Sequence, residues 1–227
     1  MKALAFSLLF LFSLQAENLR VYQYTGVETH HTDRNGKREK IHVEREIDPD
    51  CLNIEISNEM MWEGSYANPA VPKACKKMFV TSVGQIQPMQ LSPDIETYGE
   101  MEVMKFIKEM KKRDDMLLID TRMEEWYHYR TIPGAINISH LDISKADVFP
   151  KAFRKALKTM GVTQKNGTYD FSKAKTIVLF CNGAWCGQSP DMIKHLIKLG
   201  YPPQKIKWYR GGMHDWLTLS MTSTRGQ

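Results

Sequence analysis

From about Pro93 onward, apolar positions along the chain alternate between two periods. Val103, Phe106, Ile107 and Met110 repeat at i, i+3, i+4 and i+7, the stripe of an amphipathic helix. MLLID at 116–120 reads as a short apolar strand, with a helix after it through Glu124, Trp126 and Tyr127. The turn IPG at 132–134 leads into a short strand, AINI, and Phe149, Phe153, Ala156, Leu157 and Met160 mark another helix face. TIVLF at 176–180 is continuously apolar, as a parallel strand buried on both faces requires. Ser189 as N-cap, Pro190 behind it and Gly200 past the end bound a helix containing Ile193, Leu196 and Ile197. IKWYR at 206–210 supplies one more strand, and Gly211-Gly212 opens a last short helix around Asp215, Trp216 and Leu217. Strands alternating with helices predict an α/β domain built on a parallel sheet, spanning residues 93–222.

Upstream the pattern weakens. Residues 17–92 are polar and irregular, with short apolar pieces at Leu52–Ile56 and Met78–Val83 and turn residues from Gly64 to Pro72. They read as a small β-rich or irregular extension whose role no motif reveals. His30, His31 and His42 flank a charged segment there and read as solvated loop residues. The first residues, MKALAFSLLFLFSLQA, join Lys2 to an apolar run from Ala3 to Leu14 and a small residue at Ala16. That run is too short to span a bilayer, so residues 1–16 read as a secretory signal peptide cleaved before Glu17. Leu14 is larger than the residue usual at its place, and an uncleaved anchor or a buried helix is the alternative. Export predicts a periplasmic or secreted protein with no membrane span after cleavage.

Composition narrows the function classes. Of 227 residues 42% are hydrophobic and 25% charged, which excludes a disordered chain, and a mean hydropathy of −0.42 excludes a multispanning one. The net charge of +5 comes from scattered basic residues, without the stripe or reading module of a nucleic-acid binder. Four cysteines are too few for a disulfide scaffold, so an apolar core must do most of the stabilising. Cys51 and Cys75 fall in the extension, where export makes a mutual disulfide the leading reading. Nearby ligands at zinc spacing are absent, and neither metal nor cofactor is expected. Asn137 and Asn166 match the glycosylation acceptor pattern, which matters only on a eukaryotic secretory route.

The chemistry concentrates in FCNGAWCGQSP, residues 180–190. Cys181 directly follows a buried strand, and the loop behind it runs into a helix N-terminus. Ligands of such sheets bind beyond the carboxyl ends of the strands. Curled backbone amides and the helix dipole there favour a thiolate or persulfide. Gly183 and Gly187 allow loop conformations that a Cβ would hinder. The bland reading of Cys181 is a small buried strand residue.

These residues sit in a wider pattern. LLIDTR at 117–122, TIPGAINI at 131–138, IVLFC at 177–181 and YRGGMHDW at 209–216 occur in an order that resembles the rhodanese family over residues 95–220. The order of parts is similar to that of exported single-domain rhodaneses with an N-terminal extension, found in bacteria that process inorganic sulfur. The resemblance implies a five-stranded parallel sheet flanked by helices and a cysteine that carries sulfane sulfur as a persulfide. It implies Cys181 as nucleophile, within an active-site loop of Asn182, Gly183, Ala184, Trp185, Cys186, Gly187, Gln188 and Ser189. It also implies a loop-organising salt bridge between Asp120 and Arg122. For Arg210, contact with an anion and a positional role are both open.

Two departures matter. The family loop usually carries an Arg just before the Ser or Thr of the helix start. Counted back from Ser189, Gln188 stands there, and the loop is longer. Gln brings no charge, so a dianion such as thiosulfate is held less tightly, and a phosphatase reading is disfavoured. Cys186 is the second departure: it resolves a Cys181 persulfide, protects the nucleophile, or is a loop residue without a partner. Trp185 either walls the pocket or is an exposed aromatic. The reading that results is a sulfurtransferase, moving sulfane sulfur from thiosulfate or a persulfide or polysulfide donor to a thiol or other thiophilic acceptor, with a protein acceptor open. The alternatives are a thiol–disulfide redox protein using Cys181 and Cys186, and a catalytically silent rhodanese-like binding module.

Overall fold

The computed structural model describes residues 21–46, 49 and 86–226; residues 1–16, Cys51 and Cys75 lie outside that set. The described part begins with one helical turn, α1 (Tyr22–Thr25), and an antiparallel hairpin of β1 (Val27–Thr32) and β2 (Arg38–Val43). β1 alternates strictly: Val27, Thr29 and His31 are buried while His30 faces solvent. The turn is closed by Asp33, whose Oδ1 accepts from the amides of Asn35 (2.9 Å) and Lys37 (2.8 Å), with Gly36 at φ +78°. The β-rich expectation therefore holds for this piece of the extension. The histidines are not loop residues, however; all three lie on the hairpin, and His31 is buried.

The sheet follows. β3 (Glu96–Tyr98) leads into α2 (Glu100–Met110), whose Glu102 side chain accepts from the Gly99 amide at 3.0 Å. β4 (Met116–Asp120), α3 (Glu124–Tyr129) and β5 (Ile136–Asn137) come next. After them stand α4 (His140–Ser144), capped by Ser139 Oγ, and α5 (Pro150–Thr159), with Pro at its start. A small hairpin, β6 (Thr163–Lys165) and β7 (Thr168–Asp170), turns on Asn166 and Gly167, both at positive φ. β8 (Thr176–Phe180), α6 (Gln188–Leu199), β9 (Ile206–Tyr209) and α7 (Gly212–Thr218) complete the order.

The five-stranded sheet runs β3-β9-β8-β4-β5, and every pairing is parallel. Alternation along its strands makes two cores. Leu118, Val178, Phe180 and Tyr209 face one side, where α2, α7 and the hairpin residues Val27 and Val43 cover them. Ile119, Ile177, Leu179 and Trp208 face the other, beneath Leu157 and Met160 of the α5 region and Ile193 and Leu196 of α6. β8 is central, and its last four residues are fully buried. Among the described residues no helix is long and apolar enough to cross a membrane.

Candidate active-site loop

The C-terminal end of β8 is held from both sides. Thr121 donates its amide and its hydroxyl to the Phe180 carbonyl, each at 2.9 Å. Its oxygen also lies 2.9 Å from Ser189 Oγ, all of it buried. Ser189 is thus not the N-cap. Helix α6 begins two residues earlier than that cap implies, at Gln188, with Gly187 before it. The tertiary hydrogen bond to Thr121 outcompetes local capping, and it ties the helix start to the end of β4.

Past Phe180 the chain curls. Cys181 and Cys186 are both buried, 2% and 8% exposed, and both are free thiols. The Cys186 amide donates to Gly183 O at 2.9 Å and closes a turn. Helix α7 grips the loop from beyond β9: the Met213 amide donates to Cys181 O (2.9 Å) and the His214 amide to Asn182 O (2.8 Å). Gly212, at φ +57°, permits this approach, because a Cβ there would collide with the Cys181 carbonyl oxygen. Trp185 folds its ring over Gly183 and meets the His214 ring edge-on at 4.8 Å, so it walls the loop. Gly183 is needed for this packing, not for an unusual φ, and Gly187 adopts an ordinary helical φ of −88°.

Asp120 and Arg122 form the expected salt bridge, buried to 0% and 3% side-chain exposure. Arg122 Nε donates to Oδ1 at 2.9 Å and Nη2 to Oδ2 at 2.6 Å. Thr131 Oγ1 and the Arg122 amide complete the carboxylate's partners. The guanidinium has one more arm, Nη1, which donates to Asn182 Oδ1 at 3.2 Å inside the loop. Asn137 braces the same corner by donating to the carbonyls of Asp120 and Arg122. Arg210 takes a positional role through two of its donors. Its Nε and Nη2 donate to Gln87 O, at 3.1 and 2.9 Å, and the Gln87 amide donates to Ala184 O at 2.7 Å. Arg210 is a positional residue that pins the strand-free stretch before β3 against the loop.

The two thiols share one environment. Cys181 Sγ approaches Cys186 O at 3.6 Å, and Cys186 Sγ approaches Gln188 Oε1 at 3.6 Å. The Cys186 thiol is held down to about 6, first by a hydrogen bond from Cys181, against the cost of burial, then by the amides of Gln188 and Asn182 and the charge of Arg122. Burial pushes the Cys181 thiol well up, and the neighbouring Cys186 adds to this; the Ser189 amide and hydroxyl oppose it. Of the pair, Cys186 is therefore the thiol that ionises more readily. Sequence reasoning missed two participants. His214, whose Nδ1 lies 2.8 Å from Asp215 Oδ1, was visible only as a His-Asp pair after the double glycine. Gln87 carried no signal at all.

A model of the rhodanese-like domain matches residues 104–219, half of the chain. The protein belongs to the rhodanese-like domain family. Its rhodanese-like region is similar to several solved structures. One is a Bacillus halodurans protein, at 21% identity over 53% of this chain and 70% of that one, with a TM-score of 0.38. A thiosulfate sulfurtransferase from Pseudomonas aeruginosa is 18% identical over 59% of this chain, with a TM-score of 0.36, and only 21% of its length is covered. An Escherichia coli rhodanese with anions is 23% identical over 49% of this chain and 99% of its own, with a TM-score of 0.27. A search among curated proteins finds no match.

Proposed function

We propose that this rhodanese-like protein is a sulfurtransferase that carries sulfane sulfur on Cys181. The observation that carries the reading is the position of Cys181 at the carboxyl end of the central strand. There its sulfur meets the amide and hydroxyl of Ser189 at the start of a twelve-residue helix, α6. The Cys181 thiolate attacks the outer sulfur of a donor and becomes Cys181-S-S⁻, and a thiophilic acceptor then removes that sulfur. Loop amides and the buried Arg122 offset the negative charge of the persulfide. A silent module has no use for a cysteine held down to about 6 beside Cys181, and this favours a working site.

The donor we favour is a small persulfide or polysulfide. Gln188 is neutral, and Arg210 spends Nε and Nη2 on Gln87 O, so the position before Ser189 offers a dianion no charged donor. We place the reaction in the periplasm or outside the cell, on the strength of the N-terminal apolar run. Intact-mass analysis after glutathione persulfide or thiosulfate treatment tests the proposal. Wild type gains about 32 Da, one sulfur atom on the thiolate, and Cys181→Ser gains none. Retention of the added mass by Cys181→Ser would assign the carrier wrongly.

A further inference from the structure

Cys186 takes no part in the transfer just described, yet its thiol is the more acidic of the two, and Cys181 Sγ approaches its carbonyl oxygen at 3.6 Å. The two sulfurs lie in one turn, closed by the Cys186 amide on Gly183 O at 2.9 Å and gripped by α7 at Cys181 O and Asn182 O. Both are buried free thiols.

We infer that Cys186 discharges the Cys181 persulfide internally, releasing the sulfur as hydrosulfide and leaving a Cys181–Cys186 disulfide. The inference rests on the sulfur-carrier reading above. The persulfide anion first takes up a proton from solvent to give Cys181-S-SH, and the Cys186 thiolate attacks Cys181 Sγ, its inner sulfur. The Sγ–Sγ bond forms, the bond to the sulfane sulfur breaks, and the electron pair leaves with HS⁻. The outer sulfur is reduced from −1 to −2, the Cys186 sulfur is oxidised from −2 to −1, Cys181 Sγ keeps its oxidation state, and the persulfide proton departs with the product. An external dithiol then reduces the disulfide and restores the pair. Three features of the loop suit this step. The attacking sulfur is already ionised near neutral pH, the sulfur under attack is buried beside it, and hydrosulfide is a weakly basic leaving group. Attack on the outer sulfur, in contrast, would only move the sulfane sulfur to Cys186 and conserve the added mass.

The experiment loads wild type, Cys186→Ser, Cys186→Ala and Cys181→Ser with glutathione persulfide, removes the donor, and follows intact mass and free sulfide. Circular dichroism melts confirm that each variant is folded. Wild type should lose its added mass of about 32 Da as sulfide appears in equal amount, and finish about 2 Da below the reduced protein, the mark of a disulfide. Both Cys186 variants should load and keep their sulfur at least roughly tenfold longer. Loading of wild type that persists as long as in the Cys186 variants overturns this inference and leaves the carrier reading intact. Sulfide release without the loss of about 2 Da overturns it too. Absence of loading in every variant overturns both.

Discussion

Replacing Cys181 by Ala should change the acidity of a different residue, Cys186. The hydrogen bond from the Cys181 thiol is the largest influence holding Cys186 at about 6 against an ordinary 9.0. At pH 7 a thiol at about 6 is roughly 90% ionised, and one at 9 roughly 1%, a difference of about 90-fold in thiolate. The alkylation rate will not rise by the same factor. Nucleophilicity falls with basicity at a Brønsted slope of about 0.45, so three units of acidity return a factor of about 20 and leave a net gain of about 4. The position of the inflection on the pH axis is therefore the sharper readout. The assay is iodoacetamide alkylation from pH 4.5 to 10, with peptide mass mapping to separate Cys181 from Cys186. In wild type Cys186 should titrate near 6 while Cys181 reacts only at higher pH. In Cys181→Ala the Cys186 inflection should move up by at least about one unit, and Cys181→Ser, which keeps a hydroxyl donor, should fall between. A wild-type inflection near the ordinary thiol value, or a Cys181→Ala profile superimposed on wild type, would refute the reasoning.

Other outcomes can be checked in the same protein. Asp120→Ala should cost about 3 to 5 kcal/mol in urea unfolding, because Arg122 is left charged and buried without its partner; a cost under about 1 kcal/mol would contradict that role. His31 has its Nε2 2.9 Å from Arg225 O and its Nδ1 facing the Gly134 amide at 3.4 Å, and burial lowers its pKa, so folding favours the neutral ring. The stability this contributes is present above the unfolded value of about 6.5 and is lost as pH falls through the lower folded one; His31→Gln should flatten that slope in pH-dependent melts. Gly212→Ala forces a Cβ into the Cys181 carbonyl at a positive φ, and should lower stability by about 1 to 3 kcal/mol and abolish the low Cys186 inflection. Gln188→Arg should raise thiosulfate loading of Cys181 by roughly 5- to 30-fold relative to a persulfide donor, and an unchanged ratio of loading rates would show that residue 188 does not meet the anion.

The central strands were legible to the residue. MLLID and TIVLF are continuous apolar runs bounded by polar turns, and β4 and β8 occupy those same positions. The helix stripe at Val103, Phe106 and Ile107 is likewise buried in α2. The hairpin escaped notice because its outer positions are charged, although Asn35-Gly36 is a strong local turn signal. Ser189 was misplaced for a different reason. Local propensity favours a cap, and only a distant residue, Thr121, explains why the hydroxyl turns away. Arg210 shows the same limit, since its acceptor lies on a stretch that periodicity cannot place. At the site itself, Asp120 and Arg122 followed from the rhodanese resemblance, and the loop from its place between a buried strand and a helix. The division of charge between Cys181 and Cys186 depends on burial and on amides that curl into position, which no linear pattern records.

The pairing of early with late segments has a kinetic consequence. β3 aligns Glu96 with Lys207, Arg45 bridges to Met221, and His31 reaches Arg225. Each contact closes a long loop of chain, and topologies dominated by such contacts fold slowly. The hairpin can rest on α2 early, but its seam with the C-terminal segment cannot form until residues 221–225 are available to pack. Until β9 arrives, β8 has an open edge, and the cysteine loop has neither α7 to grip it nor Arg210 to pin Gln87 across it. The thiol pair is thus assembled only when the whole sheet is complete, so an incompletely made chain should bring no acidic Cys186 to the solvent.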